Sequence, residues 1–196
     1  MPREIEFLYD FGSPNAYLVH RAIEAIGQAQ FRYVPVLLGG IFKATGNQSP
    51  VQAYGHIAAK RAYDQLEMQR FMARYDINNF KMNPHFPVNT LLLMRGAVAA
   101  EALGCAPDYI EAVMTGMWER GLALGDPEVW AGMLTEAGLP VDALIAGAAD
   151  PDNKARLAAN TQAAAARGVF GIPSLFLGEE LYFGKDRLRD VVEAAQ

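Results

Sequence analysis

Apolar and polar residues roughly alternate over Ile5-Glu6-Phe7-Leu8-Tyr9, which with its aromatic content predicts a short β-strand, and Asp10-Phe11-Gly12-Ser13 reads as the turn that ends it. Ser13-Pro14 then predicts a helix start, because serine is a favoured N-cap and proline is tolerated at the first helical position. Tyr17, Ala22, Ile23 and Ile26 can share one apolar stripe of that helix, and Gly27 reads as its stop. Phe31 to Leu38 predicts a second strand. Strand, helix, strand is a βαβ unit, whose strands should be parallel and whose crossover should be right-handed.

Between Ile41 and Gly168 the strand period disappears and helical patterning takes over. The helices expected there are Val51 to Tyr75, Val88 to Leu103, Asp108 to Gly121, Pro127 to Ala137, Val141 to Ala148 and Pro151 to Arg167. Asp126-Pro127 and Asp150-Pro151 repeat the cap-plus-proline start of Ser13-Pro14. Strands return at Ser174-Leu175-Phe176-Leu177 and Leu181-Tyr182-Phe183, joined by a turn at Gly178-Glu179-Glu180, and Asp186 is placed to cap a last helix to Ala195. A βαβ opening and a ββα ending make a four-stranded mixed sheet, so the fold class is α/β. The order is that of a thioredoxin fold with a large all-helical insertion. The expected division is a thioredoxin-like unit of residues 1–40 and 169–196 with a helical lobe of 41–168, in one interrupted domain, since no repeats or linker-like stretches occur.

Composition changes this picture mainly by exclusion. At 196 residues with 52% hydrophobic and 20% charged residues, the chain is long and apolar enough for one packed domain, and disordered, collagen-like and low-complexity classes are excluded. Seventeen Lys and Arg against 22 Asp and Glu give a net charge of −5, a field that argues against nucleic acid as a partner. The acidic start at Glu4 and Glu6 does not read as a secretory signal, and no run approaches the roughly 20 apolar residues of a membrane span. A cytoplasmic location with no membrane partner is expected. The one cysteine, Cys105, leaves no internal disulfide and no Cys-x-x-Cys pair, so thiol chemistry would need a borrowed sulfur.

Several residues carry candidate chemistry. Where thioredoxin-like proteins carry Cys-x-x-Cys, this chain has Ser13-Pro14-Asn15-Ala16. A serine hydroxyl and the unpaired N–H groups of a helix N-terminus favour an anion such as a thiolate, while the same serine also serves as a plain N-cap. Pro173 after Ile172 reads either as a strand-entry residue or as the cis-proline that faces this helix start and leaves the backbone before it free to pair with a ligand. Within Phe183-Gly184-Lys185-Asp186, a turn into a helix, Asp186 can meet an ammonium and Lys185 a carboxylate. His20, His56 and His85 show no metal spacing, and no metal is expected. Gly39-Gly40 and Gly46-Asn47 read as a flexible turn without a P-loop lysine. Met68, Met72, Met82, Met94, Met114, Met117 and Met133 read as core gap-fillers, and Arg61, Arg70 and Arg74 as a solvated helix face from which Lys60 alone is set apart.

In order along the chain stand Asp10-Phe11-Gly12-Ser13-Pro14 with Tyr17-Leu18, Leu38-Gly39-Gly40-Ile41 with Gly46-Asn47, Lys60 with Tyr63, Phe86-Pro87-Val88-Asn89-Thr90, Gly168-Val169-Phe170-Gly171-Ile172-Pro173 and Phe183-Gly184-Lys185-Asp186-Arg187-Leu188. Together they resemble the glutathione-binding branch of the DsbA-like thioredoxin superfamily: 2-hydroxychromene-2-carboxylate isomerases and the related kappa-class glutathione transferases. The resemblance implies glutathione as cofactor, a small aromatic substrate and a homodimer. It implies that Ser13 hydrogen-bonds the glutathione sulfur, that Asn47 and Lys60 help hold the tripeptide, that Ile172, before Pro173, offers backbone bonds to its cysteinyl unit, and that Lys185 and Asp186 take the γ-glutamyl end. The reaction implied is isomerisation of an aromatic pyruvate through reversible thiolate addition. A kappa-like transferase and a non-catalytic peptide-binding module of thioredoxin type are the alternatives. Lys185 stands where a smaller or neutral polar residue is expected, and Asn15-Ala16 differs from the aromatic or glycine often found after Ser-Pro. The helical lobe is expected to pack over the Ser13 and Pro173 end of the sheet and to leave a cleft there.

Overall fold

A computed structural model describes residues 3–26 and 29–196. Strands β1 (Ile5–Tyr9), β2 (Phe31–Pro35), β3 (Ser174–Leu177) and β4 (Glu180–Phe183) form one sheet in the order β2-β1-β3-β4. β1 runs parallel to β2 with Phe7 opposite Tyr33, and antiparallel to β3 with Phe7 opposite Leu175. β3 and β4 are antiparallel, with Ser174 opposite Phe183. The central strand β3 is buried at every position and β1 at all but Glu6, which is why both read as nearly unbroken apolar runs. The edge strands β2 and β4 are only partly buried.

Helix α1 (Pro14–Ile26) connects β1 to β2; its expected stop, Gly27, lies outside the described residues. Eight further helices separate β2 from β3: α2 (Leu38–Thr45), α3 (Pro50–Tyr54), α4 (Ala58–Arg74), α5 (Leu91–Leu103), α6 (Ala106–Trp118), α7 (Pro127–Glu136), α8 (Val141–Ala149) and α9 (Pro151–Ala166). A 3-10 turn (Lys185–Arg187) leads into α10 (Leu188–Ala195), which packs on β3 and β1. α5 is the centre of the helical part: it touches α6, α8, α9 and β2, and Leu93, Met94 and Gly96 through Ala100 are all buried. A helix apolar around most of its circumference has to be enclosed in this way. Among the described residues, no helix is long and apolar enough to cross a membrane.

Four expectations need correction. Gly39 and Gly40 do not lie in a flexible turn, and β2 ends at Pro35 instead of Leu38, because α2 begins at Leu38. Two glycines weaken a helix locally, but here tertiary partners take its first amides: Asp10 accepts from the Leu38 N–H and Thr161 from the Leu37 N–H. Gly40 is required by proximity, since a Cβ there would stand 2.8 Å from Thr161 Cγ2. Second, the helix expected over Val51 to Tyr75 is two, α3 with a Ser49–Gln52 capping box and α4 after a break at residues 55–57. Third, Asp186 does not cap α10: it sits inside the 3-10 turn, and Arg187 occupies the cap position without a side-chain capping bond. Fourth, Met82 is 54% exposed, whereas Met94, Met114, Met117 and Met133 are core and Met68 and Met72 pack against it.

Candidate active site

The turn after β1 is held from two directions. Asp10, fully buried, accepts hydrogen bonds from the Gly12 N–H at 2.8 Å, the Leu38 N–H at 2.7 Å and the Thr90 hydroxyl at 2.7 Å, so one carboxyl joins the strand end to the starts of α2 and α5. Burial pushes this carboxyl above its ordinary range, and the three donors pull the other way. Trp118, at the end of α6, donates its indole N–H to the Phe11 carbonyl at 2.9 Å. These contacts bring the helical segment against the loop that carries Ser13.

Ser13 caps α1: its Oγ accepts from the Ala16 N–H at 3.2 Å. The same hydroxyl donates to the Ile172 carbonyl at 3.0 Å, in a buried bond between residues 159 positions apart. The Ile172-Pro173 peptide is cis, as is Phe86-Pro87. Ser13, Ile172 and Pro173 therefore meet, with the hydroxyl at a helix N-terminus facing the backbone that enters β3. Neighbouring carbonyls have their own partners: Gly171 O accepts from the Ser174 hydroxyl at 2.8 Å and Pro173 O from the Gly184 N–H at 2.9 Å.

The other predicted residues spread outward from this point. Asn47 reaches the same rim, donating its amide to the Phe170 carbonyl at 2.7 Å, and Phe170 packs on Phe183 with ring centroids 4.3 Å apart. Lys185 follows Gly184 but is buried, 6% exposed, with its ammonium 5.2 Å from the Phe71 ring centroid and 2.6 Å from Asp186 Oδ1. The two residues expected to take opposite ends of an amino acid are thus paired with each other. Lys60 lies on the exposed part of α4, paired with Asp64 and 5.8 Å from the Tyr54 ring centroid; its contacts are within its own helical arm.

Sequence reasoning gave no role to Asp10, Thr90 or Trp118. Asp10 and Thr90 each stand in a motif of the sequence, but partners 80 residues apart leave no local signal. Asn15 is a second omission: its Oδ1 is buried without a hydrogen-bond partner in the first turn of α1. Such a group costs about 1–3 kcal/mol, and an apolar side chain of like shape relieves it. At the low end of that cost, about 1 kcal/mol, Asn15→Leu is expected to raise Tm by about 2–4 °C, by calorimetry; a fall would mean that the amide has a partner it needs.

On another flank of α1, a groove of about 750 Å³ is lined by Tyr17, Arg21, Glu24, Glu111, Thr115 and Glu119 with the 75–79 loop, and by none of the predicted site residues. His20, Glu24 and Glu111 bring ligand-type atoms within 4.8 Å of one another there. Arg21 already supplies that cluster with a cation, donating to both Glu111 oxygens and to Glu119. The His20 bond, followed by Arg21 and Thr115, holds the Glu111 carboxyl well below the usual carboxylate range. Desolvation pushes the Cys105 thiol up from its ordinary value.

The chain matches the DsbA-like thioredoxin domain over residues 4–196. It belongs to that family. It is 29% identical over 189 residues to a 2-hydroxychromene-2-carboxylate isomerase of Pseudomonas sp. (strain C18), with 94% of this chain and 86% of that one covered. It is 26% identical over 211 residues to glutathione S-transferase kappa 1 of Homo sapiens, covering 96% and 88%. A solved structure of 2-hydroxychromene-2-carboxylate isomerase superposes with a TM-score of 0.80 at 27% identity, covering 97% of this chain and 93% of that one.

Proposed function

We propose that this protein is a cytoplasmic, glutathione-dependent isomerase of the 2-hydroxychromene-2-carboxylate type, interconverting that compound with trans-o-hydroxybenzylidenepyruvate or a related aromatic pyruvate. The observation that carries the reading is Ser13: a hydroxyl capping α1 and bonded to the Ile172 carbonyl, in a chain whose only cysteine is elsewhere. The donor set fits a thiol on a peptide frame, with a hydroxyl and a helix N-terminus for sulfur and a strand-entry carbonyl for an amide N–H. The names of the relatives support an enzyme of this kind. We further take residues 1–40 and 169–196 as the thioredoxin-like unit and 41–168 as the lobe that receives substrate.

When bound, glutathione supplies a sulfur nucleophile whose reversible addition turns a conjugated double bond into a rotatable single bond. The protein's part is to raise the thiolate fraction. A thiol of pKa ~8.5 is only ~3% ionised at pH 7, and lowering that pKa by ~2 units needs about 2.7 kcal/mol of preference for the anion. The Ser13 hydroxyl and the N-terminus of α1 provide the donors and the field. Asn47, Lys60, Lys185 and Asp186 hold the remainder of the tripeptide, for which the Lys185–Asp186 pair opens to engage the γ-glutamyl carboxylate and ammonium.

Glutathione stoichiometry tests the assignment. Turnover of the aromatic pyruvate with glutathione undiminished is expected; one glutathione consumed per product would support the kappa-like transferase instead, a reading favoured by the human relative. Absence of both binding and turnover would leave a peptide-binding module.

The homodimer enters on a separate observation. From Ala58 through Leu66 every residue of α4 is exposed, and Val51, Tyr54, Ile57, Tyr63 and Leu66 present apolar surface on the α3–α4 arm. A helical stretch as short as residues 58–66 is marginal in water without a covering partner, so a second copy of the chain is the cover we assign. Light scattering at micromolar concentration should give twice the single-chain mass; the single-chain mass would refute the dimer.

A further inference from the structure

We propose that the Ser13–Ile172 bond makes the site selective for thiols carried on an acylated cysteine, as in a γ-linked or ordinary cysteinyl peptide, over simple alkyl thiols. The inference rests on the glutathione reading above and specifies what part of the cofactor switches the serine. A serine hydroxyl has one proton to donate. Here that proton goes to the Ile172 carbonyl at 3.0 Å, while the Ala16 N–H fixes the oxygen from the other side at 3.2 Å. The hydroxyl can turn its proton toward sulfur only by releasing Ile172.

Release leaves a buried carbonyl without a donor, since Ile172 is 7% exposed. A carbonyl stranded in this way carries a penalty equivalent to about 5- to 150-fold in an equilibrium. The carbonyls on either side offer no relief, because Gly171 O is held by Ser174 and Pro173 O by the Gly184 N–H. Of these three successive acceptors, Ile172 O is the one whose partner is the side chain that the chemistry needs free.

A ligand with an N–H on the carbon bearing its CH2–SH group removes the penalty. The N–H replaces the serine proton at Ile172 O, and the hydroxyl rotates about its own side-chain bond to donate to sulfur while keeping its bond from Ala16. The thiol proton leaves to solvent water, and Ser13 retains its own proton throughout as a hydrogen-bond donor. An alkyl thiol without that N–H gains the serine bond only by stranding Ile172. Selection for the cysteinyl unit is thus made at the sulfur's activation as well as in binding.

The test compares glutathione with its ester isostere, in which oxygen replaces the cysteinyl N–H, each at saturating concentration. Thiolate absorbance followed against pH gives the bound-thiol pKa in the wild-type protein and in Ser13→Ala. In the wild type, glutathione should show about 5- to 150-fold more thiolate than the ester at a pH below both pKa values. In Ser13→Ala the two ligands should have the same bound-thiol pKa, because no hydroxyl remains to be released. Equal lowering of both in the wild type would overturn the selectivity and leave the glutathione reading intact. A glutathione thiol at its ordinary pKa would overturn the reading itself and the proposal with it. The wild-type comparison decides the matter even where the variant fails to fold.

Discussion

Ser13→Ala is expected to lower turnover about 10- to 150-fold while changing glutathione affinity much less, because the hydroxyl acts on the thiolate and other residues hold the tripeptide. A charge-assisted hydrogen bond to sulfur contributes about 1.5–3 kcal/mol, and its loss converts to that factor in thiolate. The substitution also removes the cap from α1, at about 0.5–2 kcal/mol of stability, so Tm should be followed beside the kinetics. The pattern to look for is a fall in kcat with a rise in the bound-thiol pKa. Wild-type values for both would reduce Ser13 to a helix cap and move the chemistry elsewhere.

Asp10→Ala should be the most destabilising of the single substitutions considered, for a reason independent of catalysis. It leaves the Gly12 N–H, the Leu38 N–H and the Thr90 hydroxyl without their acceptor, in a position where the carboxyl itself is inaccessible to water. Three abandoned donors, two of them on partly solvated backbone, amount to about 3 kcal/mol, or a fall in Tm of about 6–12 °C in a chain of this size. Asp10→Asn keeps one acceptor oxygen and should fall between the two proteins. A Tm within about a degree of wild type for Asp10→Ala would mean that water or a shifted backbone satisfies these donors.

The features legible in the sequence were those decided within a few residues. β1, β3 and β4 follow from short apolar runs between turn residues, and the starts at Ser13-Pro14, Asp126-Pro127 and Asp150-Pro151 are all used, with Asp126 and Asp150 accepting from the first-turn amides as a cap should. What stayed hidden was decided at long range. α2 is a helix because Asp10 and Thr161 accept from Leu38 and Leu37, and no window around Gly39-Gly40 contains that information. Gly46 at φ 66° ends the same helix in the left-handed conformation, a local rule that applies only where a helix precedes the glycine. At the site, the nearness of the Ser13 helix start to Pro173 is legible from fold order, whereas the bond from the Ser13 hydroxyl to the Ile172 carbonyl is not. Nor is the turning of Lys185 onto Phe71, since it depends on where α4 ends relative to the last turn of the sheet.

Trp118 carries a practical consequence. It is fully buried, packed near Phe80 and Phe86, and its indole N–H is bonded two residues from Ser13; the chain has only one other tryptophan, Trp130, which is bonded to Tyr109 instead. Any ligand that shifts the Ser13 turn must shift the hydrogen bond at Phe11 O, and with it the emission of one indole. The protein therefore contains its own fluorescent reporter of occupancy, and Trp130→Phe would leave that signal to a single emitter without attaching a dye.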